Sequence, residues 1–274
     1  MKPTLERLRK WIEEADAIVI GAGAGLSSAA GFEYGGAFFK EHFPEMVALG
    51  YRDMYAAGFH PFPSSEEKWA YWAKHIFYCR YQGAKQLYKD LLEVVGSKNY
   101  FVITTNVDHQ FQLAGFDKRR LFYTQGDYGL FQCAVPCHHK TYDNEITVRQ
   151  MIEKQKDHRI PPSLIPICPV CGEEMTTNLR VDGTFVQDEG WAEASGRYAD
   201  FLSRSKDKKV LFLELGVGFN TPGIIKAPFI QMTQAFPSAH YAVINQGGNY
   251  LPKEIEGKSM IFDMDLAEAI AALK

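Results

Sequence analysis

Residues 17–31 read AIVIGAGAGLSSAAG: a short apolar run that breaks into three alternate glycines and then into small helix-forming residues. The pattern predicts strand, tight loop and helix. Gly21, Gly23 and Gly25 carry no Cβ, so the loop backbone can approach a pyrophosphate closely, and a following helix would aim its amide N–H groups and positive dipole end at the phosphates. The common dinucleotide fingerprint is G-x-G-x-x-G with an acid about twenty positions on. This loop is G-x-G-x-G, and the only acids in that region are Glu41 and Glu45. A tight turn that holds no ligand would give the same glycines, so the loop needs support from elsewhere in the chain.

Outward from this loop, short β-rich runs recur at 100–103, 121–123, 210–215, 241–244 and 260–262. Each has the length of one buried strand, and near-continuous hydrophobicity suits a parallel sheet covered on both faces. Polar segments follow the runs: TTNVD, TQGD, GVGFNTPG and NQGG. In open α/β sheets the ligand crevice lies at the carboxyl ends of the strands, where these segments would gather. Residues 3–15 place Leu5, Leu8, Trp11 and Ile12 at helical spacing after Pro3 and Thr4, so an amphipathic helix should precede the first strand. The expected class is α/β, a Rossmann-like parallel sheet domain with a small zinc-binding module and a helical insertion. Residues 1–34, 97–132 and 205–274 would form the sheet domain, 35–96 an aromatic-rich helical insert or lid, and 133–204 the small module.

Four of the five cysteines fall in 133–171. Cys133-x3-Cys137, thirty residues, then Cys168-x2-Cys171 supplies two thiolate pairs for a tetrahedral Zn²⁺, with Gly172 permitting the positive φ of a knuckle turn. Free thiols or a redox pair are the competing reading. His138 and His139 could replace one cysteine, though adjacent histidines point apart. Cys79, in HIFYCRY, reads as a buried small apolar residue.

The 274 residues are 46% hydrophobic with a net charge of −3, enough for one large core and a satellite. The balance of 30 basic against 33 acidic residues gives no overall electrostatic reason to expect nucleic acid, and the cysteines lack the interleaved basic and aromatic residues of a zinc-dependent nucleic-acid binder. No run is long enough for a membrane span and residues 1–10 lack the apolar core of a secretory signal, so the expected setting is the cytoplasm with no membrane partner.

Taken together these segments resemble the sirtuins, NAD-dependent protein deacylases and their relatives, over nearly the whole chain. GAGAGLSSAAG is similar to the family's opening loop, TTNVD at 104–108 to its T-Q-N-I-D motif, the cysteine pairs to its zinc module, LELGVGFNTP at 213–222 to its L-G-T-S segment, and VINQG at 243–247 to its I-N motif. The resemblance implies that Gly21, Ala22, Gly23 and Ala24 carry the NAD pyrophosphate, with Ser27 or Ser28 adding a hydroxyl. It places Asn106 near the nicotinamide ribose, Asp108 with the backbone of Val107 on the carboxamide, and Thr104 among the NAD-binding residues. Gly216, Gly218 and Asn220 would surround the adenosine-side ribose and phosphate, Asn245 and Gln246 the adenine ribose, and Tyr34, with Phe38 or Phe39, a mobile wall over nicotinamide. Asp108 could also cap the following helix. His60, His75 and His109 match no motif and read as structural or solvated.

Two departures matter. Deacylating sirtuins follow the first loop with Pro, Asp, Phe and Arg, where this chain has Gly31-Phe32-Glu33-Tyr34, and they carry His-Gly where this chain has Gln125-Gly126. That histidine is the family's general base, and an amide cannot take up a proton. Gln125 would instead contact a ribose hydroxyl and orient an acceptor already ionised at neutral pH, such as Asp or Glu. Together with the segment 218–226 this resembles the macrodomain-linked (class M) sirtuins of bacteria. For that group the implied activity is NAD-dependent protein mono-ADP-ribosylation of a lipoylated carrier protein resembling glycine-cleavage protein H, reversed by a macrodomain hydrolase, in a setting of oxidative stress. Asn106, Asp108 and Gln125 are then the catalytic candidates. Weak deacylation, NAD glycohydrolysis with water as acceptor, and a non-catalytic NAD sensor stay open as alternatives.

Overall fold

The structure is a computed structural model, and it describes residues 4–218, 222–247 and 249–274. Among the described residues nine strands form: β1 (Ala17–Ala22), β2 (Tyr100–Thr104), β3 (Leu121–Tyr123), β4 (Gly126–Cys133), β5 (Thr141–Asp143), β6 (Met175–Leu179), β7 (Val210–Leu215), β8 (His240–Ile244) and β9 (Ser259–Phe262). Two compact units emerge. The first takes in the chain up to Gly31, Ala84–Gln125 and Glu189–Lys274; the second comprises Phe32–Gly83 and Gly126–Asp188.

The first unit is built on a six-stranded sheet in the order β3-β2-β1-β7-β8-β9, and every pairing in it is parallel. Counted along the chain within this sheet, the order is 3-2-1-4-5-6, a doubly wound Rossmann-like arrangement whose direction reverses between β1 and β7. Side chains alternate across β1 because successive residues of a strand point to opposite faces. Ile18 and Ile20 join Leu8, Trp11, Leu87, Leu91, Val102 and Leu213 on one face; Val19 joins Phe101, Ile103, Phe212 and Phe229 on the other. Both faces are therefore dry, which explains the unbroken apolar runs in the sequence. The helix Leu5–Glu14 starts where Thr4 accepts a hydrogen bond from the Arg7 amide at 3.2 Å and buries Leu8, Trp11 and Ile12.

One polar cluster lies inside this core. Glu214 on β7 is fully buried and accepts hydrogen bonds from Lys226 and from the Tyr241 hydroxyl. A buried carboxylate is tolerated only when paired and hydrogen-bonded, and here a cation and a phenol do both.

The second unit carries the three-stranded antiparallel sheet β5-β4-β6 and the helix Ser65–Arg80, whose N-cap Ser64 accepts from the Glu67 amide at 3.3 Å. Cys79 is buried in that helix. Its neighbour His75 lies between two phenols, with Nδ1 at 3.1 Å from Tyr71 and Nε2 at 3.0 Å from Tyr128. The Tyr71 proton is committed to the Met54 carbonyl. His75 must then donate from Nδ1 and accept at Nε2, which fixes the neutral Nδ1–H tautomer.

Burial pushes the His75 imidazole down to about 3 from its ordinary 6.5, so between those values the unfolded chain holds a proton that the folded chain refuses. Stability contributed by the neutral ring is complete above the unfolded value and drains away as pH falls through this window. Denaturant unfolding at pH 7 and pH 5 should show a loss from this group of about 2 kcal/mol, and His75→Phe should remove that part of the slope while lowering stability at both pH values. An unchanged slope in the variant would assign the acid sensitivity to other groups.

Candidate active site and metal centre

All six strands of the parallel sheet end along one edge, and the segments singled out in the sequence follow them there. Gly23 follows β1, Asn106 and Asp108 follow β2, Gln125 follows β3, Gly216 follows β7 and Asn245 follows β8. At the point where strand order reverses, the loops after β1 and β7 press backbone against backbone. A Cβ on Gly23 would lie 2.7 Å from the Gly216 oxygen, one on Gly25 would lie 2.8 Å from Gly216 Cα, and one on Gly216 would lie 2.4 Å from the Leu26 nitrogen. Gly216 also has φ +62°. The amide of Gly25 donates to the Gly216 carbonyl at 2.9 Å and that of Gly23 to Leu215 at 3.0 Å. Glycine is required here for loop-to-loop contact before any ligand is considered. Gly21, on the strand, is excluded from bearing a side chain by Ile225 and Phe229. Gly218 meets nothing of this kind, and Asn220 lies outside the described residues.

The TTNVD segment is fixed by its own hydroxyls. Thr104 is buried and its Oγ1 donates to the Ala22 carbonyl at 3.0 Å while accepting from the Asn106 amide at 3.0 Å. Asn106 Nδ2 donates to the Gly23 carbonyl at 2.9 Å and reaches the Tyr88 hydroxyl at 3.3 Å. Asp108 is buried; Ser27 Oγ donates to its Oδ2 at 2.6 Å and the Gln110 amide to its Oδ1 at 3.1 Å. The Ser27 proton being spent on Asp108, the 3.2 Å contact between Ser27 and Tyr88 has Tyr88 as donor. A directed chain results: Asn106 amide to Tyr88, Tyr88 to Ser27, Ser27 to Asp108. Burial first, and then the Asp108 charge, hold the Tyr88 phenol well above its ordinary pKa, so it keeps the proton this chain needs. His109 has φ 62°, a left-handed conformation uncommon outside glycine, and it separates the Asp108 turn from the helix Gln110–Leu113.

Gln125 is half-buried, and its Nε2 lies 3.3 Å from Thr124 Oγ1, which in turn donates to the Thr104 carbonyl at 3.1 Å. The β2 and β3 ends are thereby tied together. On the other side of the reversal, Asn245 and Gln246 line a cavity of about 340 Å³ with Gly25, Ser28, Met264 and Asp265. Its polar groups and the uncapped start of the helix Ala24–Ala29 suit a nucleoside with its phosphate. Of the two serines, Ser27 is committed to Asp108 and Tyr88, while Ser28 Oγ turns back to the Ala24 carbonyl at 3.2 Å. Val107 is half-buried beside them. Tyr34 belongs to the second unit, where its carbonyl accepts from the Met54 amide at 2.7 Å. Two residues escaped the sequence reading. Tyr88 lies on the helix Gln86–Val95, in the stretch read only as an aromatic-rich insert, and Asp265 caps the helix Leu266–Leu273, accepting from the Ala267 amide at 2.8 Å and the Glu268 amide at 3.1 Å.

In the second unit, Cys133, Cys137, Cys168 and Cys171 place their sulfurs within 4.8 Å of one another. Cys133 to Cys171 is 3.5 Å and Cys137 to Cys168 is 3.7 Å. A tetrahedron with Zn–S bonds of about 2.3 Å separates its sulfurs by about 3.8 Å, so the four thiols fit zinc and close its coordination to substrate. Gly172 has φ +80° and donates to the Cys168 carbonyl at 3.0 Å, completing the knuckle. Burial raises Cys168, but the Cys171 and Val170 amides outweigh it and bring the thiol to about 7. His138 Nδ1 sits 3.0 Å from Cys137 Sγ, beside the four sulfurs. His139 is exposed.

Tyr88→Phe keeps the ring and deletes the hydroxyl at the centre of the Asn106–Ser27 chain. Chemical unfolding should report a loss of about 1–3 kcal/mol from the polar partners left unpaired; full stability in the variant would contradict the chain as drawn. Elemental analysis of the purified chain should find one zinc, with Cys168→Ser depleting it and lowering the melting temperature. Retention of full zinc by that variant would break the four-sulfur assignment.

No family model matches the chain. A curated protein of Staphylococcus aureus (strain Mu50 / ATCC 700699), named protein ADP-ribosyltransferase, is 39% identical over 270 residues, covering 97% of this chain and 85% of that protein. A longer protein of Fusarium oxysporum f. sp. cubense, named as a probable bifunctional ADP-ribose hydrolase/ADP-ribosyltransferase, is 32% identical over 235 residues, 82% of this chain and 39% of its own length. Among solved structures, a sirtuin studied for substrate affinity superposes with a TM-score of 0.63 at 17% identity, covering 99% of this chain and 98% of that one. Sir2 with a p53 peptide and NAD⁺ gives 0.58 at 18% identity, over 99% and 97%. The fold is that of the sirtuins, and with the Staphylococcus relative matched along nearly its whole length, the chain belongs to the sirtuin-family protein ADP-ribosyltransferases.

Proposed function

We propose that this chain transfers ADP-ribose from NAD to a carboxylate side chain of a lipoylated carrier protein resembling glycine-cleavage protein H, releasing nicotinamide. The observation that carries this reading is Gln125, an amide at the end of β3, hydrogen-bonded toward the same β2 end that holds Asn106 and Asp108.

The bond from ribose C1′ to the nicotinamide nitrogen breaks with its electron pair going to nicotinamide, and positive charge builds on C1′ and the ring oxygen. Asn106 is neutral and pinned by Gly23 and Tyr88, so it can sit beside that charge and orient the ribose without capturing it. Asp108 is held by Ser27 and the Gln110 amide, and its carboxylate is assigned to the carboxamide of nicotinamide. Gln125 donates and accepts but takes up no proton, so the acceptor must arrive already deprotonated. An Asp or Glu side chain does so at neutral pH, whereas attack assisted by a base would need an imidazole in this place. Asn245, Gln246 and Gly216 are assigned to the adenosine half, and Gly21 to Ala24 to the pyrophosphate. The bifunctional Fusarium relative lends support to a macrodomain-type hydrolase as the reversing partner. Among the described residues no helix is long and apolar enough to cross a membrane.

Intact-mass analysis of a lipoylated carrier after incubation with NAD should show one added ADP-ribose with the native chain and none with Asn106→Ala. Gln125→Ala should lower the yield at least tenfold, because transfer still depends on alignment of ribose and acceptor. Free ADP-ribose with no labelled carrier would instead favour NAD glycohydrolysis. Rapid removal of acetyl groups from lysine would refute the role given to Gln125.

A further inference from the structure

At the edge of the first unit opposite the strand ends, a cavity of about 340 Å³ opens beside the start of β2. Arg119, Arg120, Arg197, Arg204 and Lys208 line it, and no acidic residue does. We propose that this cavity is a second binding site of the protein, for a small ligand bearing a diphosphate group.

The charge there is only partly neutralised from outside the cavity. Asp117 holds Arg119 at 3.0 Å and Glu193 holds Arg197 at 3.1 Å. Arg120 Nη1 donates to the Lys98 carbonyl at 3.3 Å and Arg204 Nε to the Asp200 carbonyl at 3.2 Å; both acceptors are neutral. Among the described residues Arg204 and Lys208 make no ion pair, and Arg120 feels the Asp117 carboxylate only beyond ion-pair distance. Five cations set against two carboxylates leave net repulsion, which a dianion relieves; guanidinium groups also match phosphate oxygens two at a time.

The concentration of charge is local, since the whole chain carries a net −3. The cations come from rigid elements: the 3₁₀ turn Lys118–Arg120 and the long helix Glu189–Ser205, with Lys208 just past its end. Tyr100, Phe101 and Phe201 also border it but are buried, and the Arg120 guanidinium lies 5.2 Å over the Tyr100 ring, so the accessible lining is chiefly cationic. The cavity sits at the start of β2, whereas Asn106 and Asp108 follow the end of that strand, so it is distinct from the edge assigned to NAD.

Calorimetric titration at fixed ionic strength tests this with two probes, pyrophosphate and UDP, each run on the native chain and on two cavity variants. Saturable binding that depends on the cavity cations is expected. Affinity should fall at least tenfold in Arg204→Glu/Lys208→Glu and in Arg119→Glu, three exposed positions whose melting temperatures serve as the folding control. Tighter binding of UDP would show that the nucleoside adds contacts, and equal binding would assign the site to the diphosphate alone; both support the site. Absence of saturable binding, or affinities unchanged in both variants, would overturn it.

Discussion

The closeness of two backbones at the reversal of the sheet sets the geometry of the rest. Gly23 and Gly25 after β1 meet Gly216 after β7 at distances no side chain would allow. That contact lets the amides of Gly23 and Gly25 bond across to the β7 end and starts the short helix at Ala24. It also aims the Gly23 carbonyl at Asn106. From Asn106 the ordering runs through Tyr88 and Ser27 to Asp108, so the conformation of one loop fixes polar groups on three separate stretches of chain. The loops at the reversal of the sheet are thus shaped by packing, in a frame that needs its glycines before any ligand is considered.

Electrostatics at the site follow from how little freedom its protons have. Burial and hydrogen bonding order Asn106, Tyr88, Ser27 and Asp108 together, with Tyr88 held as a neutral phenol. On the neighbouring strand end Gln125 adds a side chain that takes up no proton. The Glu214–Lys226–Tyr241 cluster below the β7 loop is likewise ordered: a charge kept in the core because every partner is supplied.

Much of this was legible beforehand, for physical reasons that differ by element. The run 210–215 coincides with β7, and the other runs fall within a residue of β2, β3, β8 and β9, because strands buried on both faces leave an apolar signature that needs no partner to be read. The four cysteines announce a common site through spacing alone. The polar network was not legible. Nothing local distinguishes the Tyr88 hydroxyl from any other phenol on an amphipathic helix, and the engagement of Ser27 with Asp108 depends on residues 81 positions apart. The left-handed backbone of His109 leaves no mark in composition, and a pairing such as Glu214 with Lys226 looks from sequence like two surface charges.

The second unit enters the chain twice, once between β1 and β2 and once between β3 and β7, and leaves the parallel register between those strands intact. Inserts at such crossings can lengthen or change composition at a small entropic cost to the sheet that flanks them. A change of length or composition in either insert therefore leaves untouched the glycine contacts and the buried hydrogen bonds that hold the ends of β1, β2 and β7.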